Sequence, residues 1–138
     1  MVSLEERENL TAREVMRREL VEMAAGFVDI IEGRVAPDEL EEDGEPWTVW
    51  GWLNRDALEV EYRMGLEVPP RGRARPIYRG AVVVLTIGGP HVEVRTSAGW
   101  AHVHATWGTV RIQRSAQDSI GLDEALAESF ESIMENHR

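Results

Sequence analysis

The apolar residues of this chain change their period twice, and that switch narrows the folds open to it. After Thr11, Met16, Leu20, Met23, Ala24, Phe27 and Ile31 recur at the spacing of one helix face, and Gly33 suits a stop. From Leu58 the period becomes two, with Leu58, Val60, Tyr62 and Met64 alternating with Glu59, Glu61 and Arg63. "IYRGAVVVLTI", "HVEVRT", "WAHVHATW" and "TVRIQR" continue as strands, separated by "GGP", "SAG" and Gly108. In "GLDEALAESFESIMENHR" the helical period returns, with Leu122, Leu126, Phe130, Ile133 and Met134 on one stripe. Helix, strands, helix is the order of an α+β domain.

The spacing therefore predicts a four- to five-stranded antiparallel sheet flanked on one face by an N-terminal and a C-terminal helix. The helices are expected over 11–32 and 121–136. One domain spans 1–138: an N-terminal helix or helix pair (1–33), an acidic and Trp-rich connection (34–57), the sheet (58–114) and the C-terminal helical segment (118–137). Two capping-box patterns, Ser3-x-x-Glu6 and Thr11-x-x-Glu14, precede the first apolar stripe. In the connection, Trp47, Trp50 and Trp52 read as a short helix or turn pinning the linker to the core. "VPPRGRARP", 68–76, reads as a loop.

Alternation also sorts the strand residues by face. Val92, Val94, Ala101, Val103, Ala105, Val110 and Ile112 should meet the helices. Glu59, Glu61, Arg63, His91, Glu93, Arg95, Trp100, His102, His104, Thr106, Arg111 and Gln113 should lie on the opposite, open face. The stretch "GWAHVHATWG" thus places His102 and His104 side by side, with Trp100 on their face and Trp107 on the other. Two imidazoles, with His91 or Glu93 from a neighbouring strand, would make a three-ligand zinc set. Cross-strand pairs among Glu, Arg and His on a wet face are the reading the pattern favours.

Charge and composition exclude several function classes. All 15 basic residues are arginine, which removes Schiff-base lysines and a phosphate-loop lysine. With no cysteine there is neither a disulfide framework nor thiolate metal ligation. No nucleophile-elbow or dinucleotide motif occurs. The net charge of −10 is uneven: 1–67 carries −11, 68–117 carries +6 and 118–138 carries −5. An acidic total repels nucleic acid at long range, so a single-strand binder using Trp100 and the arginines is disfavoured, while the basic middle can meet an anionic partner locally. The start, "MVSLEERENL", lacks the regions of a signal peptide, and no apolar run reaches membrane-spanning length, so a cytoplasmic protein with no membrane partner is expected.

"DALEVEYRMG", "YRGAVVVLTIGGPHVEVRT" and "TWG" carry a resemblance. Through Asp56, Ala57, Leu58, Tyr78, Arg79, Gly80, Gly88, Gly89, Pro90, Thr96, Trp107 and Gly108, the chain resembles small acidic uncharacterised proteins of bacterial phages and mobile elements, over residues 56–134. It departs from that pattern at His91, where the family has asparagine, and at Arg95, where it has an acid. The resemblance implies context rather than chemistry: an accessory protein of a mobile element, for which blocking a host defence complex is a common task. The expected function is a non-enzymatic protein-interaction module of the anti-CRISPR or anti-restriction kind, needing no cofactor. Its expected contacts are Trp100, His102, His104, Arg95 and Arg111 on the open face, and Arg71, Arg73 and Arg75 in the loop. The acidic 38–45 segment reads most simply as a solvated loop or short helical turn, with a phosphate mimic as the alternative. The partner is another protein or protein complex, and homodimerisation is compatible with the same surfaces. A metal-dependent enzyme using His102, His104 and His91 is the reading from another class.

Overall fold

The computed structural model describes residues 3–37 and 46–136. Their order is α1 (Leu4–Ile31), α2 (Val49–Asp56), β1 (Glu59–Glu67), β2 (Arg75–Thr86), β3 (His91–Ser97), β4 (Trp100–Trp107), β5 (Val110–Gln117) and α3 (Leu122–Asn136). The five strands form one antiparallel sheet in the order β1-β2-β3-β4-β5. The acidic 38–45 segment lies outside the described residues.

The first helix begins at Leu4 rather than near Thr11. Ser3 caps it: its hydroxyl accepts from the Glu6 amide at 3.2 Å and the Glu6 carboxylate accepts from the Ser3 amide at 3.3 Å. The Thr11 pattern then falls inside a helix already under way, where threonine costs only tenths of a kcal/mol. Leu20, Ala24 and Ile31 are its fully buried residues, and Met23 and Phe27 pack partly against the core. Arg13 donates to the Thr109 hydroxyl at 2.9 Å in the β4–β5 turn, while the Ser119 amide donates to the Ile31 carbonyl at 3.2 Å. So α1 runs alongside β5 in the same direction and covers β4 and β5.

The second helix buries Trp52 and Leu53, with Trp47 edge-on to Trp52 at 6.5 Å. Thr48 caps it by accepting from the Gly51 amide at 2.9 Å. Trp47 and Trp52 thus anchor the connection as expected, whereas Trp50 points away from the core and is exposed.

The third helix starts at Leu122, one residue after the expected 121, and Asp118 caps its first turn from outside the helix. The Asp118 carboxylate accepts from the Leu122 and Asp123 amides at 2.8 and 2.7 Å. This helix covers β2 and β3. Phe130 sits between Tyr62 and Tyr78, each ring centroid 5.8 Å away. A polar relay fixes its start: Ala81 N–H donates to the Thr96 hydroxyl, and the Tyr78 hydroxyl donates to Asp123 at 2.6 Å. Since a carboxylate only accepts, the 3.1 Å contact between Tyr78 and Thr96 has Thr96 as donor. Burial, then the Asp123 carboxylate, push the Tyr78 hydroxyl above its ordinary pKa, which keeps it a donor.

Both helices lie on one face of the sheet. Val92, Val94, Ala101, Val103, Ala105 and Ile112 are buried in the same cluster as Leu20, Ile31, Leu122 and Leu126, with Val110 packed against it. Two strand limits move. Arg75 and Pro76 belong to β2 rather than to a loop, and β5 continues through Ser115 to Gln117. Arg79 has no partner of its own in β1, because the register passes from Arg63–Gly80 to Met64–Tyr78. Gly80, at φ 147°, is needed there, since a Cβ would collide with the Thr96 carbonyl.

Beyond that bulge, β1 and β2 form a two-stranded arm. Met64–Glu67 pair with Arg75–Tyr78, but β3 joins β2 only from Ala81 onward.

Candidate functional site: the uncovered face of the sheet

The strand register assembles the open face row by row. Glu59 is opposite Val84, which is opposite Glu93, then His104, then Gln113. The neighbouring row is Glu61, Val82, Arg95, His102 and Ser115. Ser97, Trp100 and Gln117 form a third, and His91, Thr106 and Arg111 a fourth. The expected faces are therefore the observed ones, down to every strand residue assigned from alternation. Val82 and Val84 were not among them, because an unbroken apolar run gives no face. They are the apolar floor between two polar rows, and Val82 is 8% exposed beneath its charged neighbours.

Within this surface Arg95 donates to Glu93 at 3.0 Å. The Arg95 Nε is buried and has no hydrogen-bond partner among the described residues. His102 Nδ1 lies 3.1 Å from the Ser115 hydroxyl, a pairing that no sequence motif announces and that the β4–β5 register creates. His104 is held below the ordinary histidine pKa, first by burial and then by the Arg95 guanidinium, so it is neutral at neutral pH. A shallow hollow of about 420 Å³ opens beside it, lined by Glu93, Arg95, His104, Thr106, Arg111 and Gln113 among others. Trp100 stands at one end of the face with 53% of its surface exposed, whereas Trp107 packs against the core on the other side.

Five of the expected contact residues, Trp100, His102, His104, Arg95 and Arg111, thus share one surface. Arg71 and Arg73 do not join them. They sit in the loop at the tip of the two-stranded arm, and Arg75, where β2 leaves that loop, is tied to Glu67 at 2.6 Å. Arg79, Ser115 and Gln117 were missed. The first is the bulged residue and the others lie in the part of β5 that the sequence pattern did not reach.

The arrangement supplies hydrogen-bond donors, a ring for stacking or packing, and mixed charge. His91 stands opposite Thr106, one row away from His104. Among the described residues no three His, Cys, Asp or Glu side chains come together in a way that could hold a metal ion. No helix among them is long and apolar enough to cross a membrane. No protein-family model, no curated protein and no solved structure matches this chain.

Proposed function

We propose that this chain is a non-enzymatic protein-interaction module that presents the uncovered sheet face to another protein or protein complex. The observation that carries this reading is Trp100: a tryptophan 53% exposed on a face that no helix among the described residues covers. Exposed tryptophan beside arginine is what the energetic centres of interfaces favour. A carboxylate or carbonyl-bearing surface suits the hollow between Arg95 and Arg111. A nucleic-acid strand suits it less, because Glu59, Glu61 and Glu93 share the face and the chain carries −10.

The biological task we assign, inhibition of a host defence complex in the anti-CRISPR or anti-restriction manner, rests on the sequence resemblance alone. The test is capture from a bacterial host lysate with wild type, Trp100→Ala and Trp50→Ala side by side. Trp50 is 37% exposed on α2 and serves as the control. A partner retained by wild type and Trp50→Ala but lost by Trp100→Ala is the expected result. Equal retention by all three would remove the face from consideration.

A further inference from the structure

Strand β1 ends the sheet, and among the described residues it is hydrogen-bonded on one side only. A free edge is a template for another strand unless something blunts it. Here the side chains along it do not repel a second strand of the same sequence. Leu58, Met64, Leu66 and Val68, all of one parity, are 58–72% exposed, an unusual density of bare apolar surface along one strand line. Three of them lie on or next to the two-stranded arm, where β3 no longer supports β2. The charged residues of the other parity, Glu59, Glu61 and Arg63, are exposed as well.

We propose that two copies of this chain pair through their β1 edges, antiparallel, about a two-fold axis at Tyr62, making one continuous ten-stranded sheet. Any antiparallel register that keeps the two faces matched must be centred on a residue. Centring on Tyr62 places Glu61 opposite the partner's Arg63 and, by symmetry, Arg63 opposite the partner's Glu61. On the other face Leu58 meets Leu66, and Val60 meets Met64, each twice. Glu59 then stands opposite Gly65. Gly65 has no side chain, and the Arg79 side chain lies across it, its Nε only 2.9 Å from where a Cβ would be. So Glu59 meets the partner's guanidinium rather than a gap. Neighbouring registers fail on charge: centring on Val60 pairs Glu59 with Glu61, on Glu61 pairs that residue with itself, on Arg63 pairs arginine with arginine, and on Met64 pairs Glu61 with Glu67. Like charges directly opposite are destabilising, opposite ones favourable. Centring on Gly65 also sets Arg63 against Glu67, but it overlaps only residues 63–67 of the strand and would draw Glu67 from Arg75, so the Tyr62 register is the longest that opposes no like charges, and it covers Leu66 with Leu58.

The dimer extends the open face without using Trp100, so it stands or falls independently of the function proposed above. Sedimentation and light scattering of the full chain should give twice the 15.6 kDa chain mass. Glu61→Arg and Arg63→Glu each turn two attractions into two repulsions and should weaken the dimer about tenfold or more. Both positions are exposed, so unchanged circular dichroism should accompany the loss. The double variant Glu61→Arg/Arg63→Glu restores both pairs and should dimerise again. Mixing the two single variants should also give a dimer, because arginines at both positions then face glutamates. A wild-type chain that stays monomeric throughout its soluble range overturns the proposal. So does a dimer indifferent to the single charge reversals, or one that neither the double variant nor the mixture recovers.

Discussion

Two tryptophans seven positions apart on β4 have opposite fates because a strand alternates. Trp100 points away from the helices and Trp107 packs against the core. Trp100→Ala should lower stability by less than about 1 kcal/mol, having little burial to lose. Trp107→Ala should cost about 3 kcal/mol, the usual loss for a core aromatic. Paired denaturant melts of the two variants compare them directly, and equal, large losses would mean Trp100 is buried against something. His104 makes the second prediction at this scale. Burial and Arg95 hold its folded-state pKa below the 6.5 of an ordinary histidine, so the unfolded chain takes up this proton more readily. The stability His104 permits is complete above about pH 6.5 and declines as the pH falls through that value toward the lower folded-state pKa. Between about pH 7.5 and pH 5.5 the melting temperature of wild type should fall more than that of His104→Gln, measured by parallel thermal scans.

At the scale of elements, caps decide where the helices begin, and for α1 the cap is where expectation and observation part. The sequence offered two capping boxes for α1, and the outer one at Ser3 prevailed because nothing between Leu4 and Thr11 breaks the helix. For α3 the cap is Asp118, a residue outside the apolar stripe, which satisfies two amides at once. Asp118→Ala should therefore cost about 1 kcal/mol, and Asp118→Asn, which keeps an acceptor, about half of that or less. Urea midpoints of the two variants check this, and equal losses would assign the effect to charge rather than to the bond. Strand ends were legible to within a residue or two at "WAHVHATW" and "HVEVRT", where polar and apolar residues alternate cleanly. They were less so in β5, where exposed Arg114 occupies an inward-parity position and interrupts the pattern.

Across the whole molecule, α1 covers one half of the sheet and α3 the other, yet residues of both helices share one buried cluster with the strands between them. A single core unfolds as a unit, so tryptophan fluorescence and far-ultraviolet circular dichroism should give coincident urea transitions. Separated transitions would mean that the α1–β4–β5 half holds together without α3.

Local periodicity was enough to read the fold class, the facing of every alternating strand residue and the grouping of Trp100, His102, His104, Arg95 and Arg111 on one surface. Periodicity carries that information because a pleated strand with one face in a core cannot rotate its side chains without exposing the apolar set. Tertiary structure alone decided the rest. The bulge at Arg79 and the glycine beside it answer to the Thr96 carbonyl on the next strand. The separation of Arg71 and Arg73 from the face follows from β2 outrunning β3. The pairing of His102 with Ser115 and of Tyr78 with Asp123 joins residues distant along the chain, through a register and a helix position that no local pattern contains. Contacts of that kind depend on how far each strand runs before its turn, and those lengths are set by the neighbours it packs against.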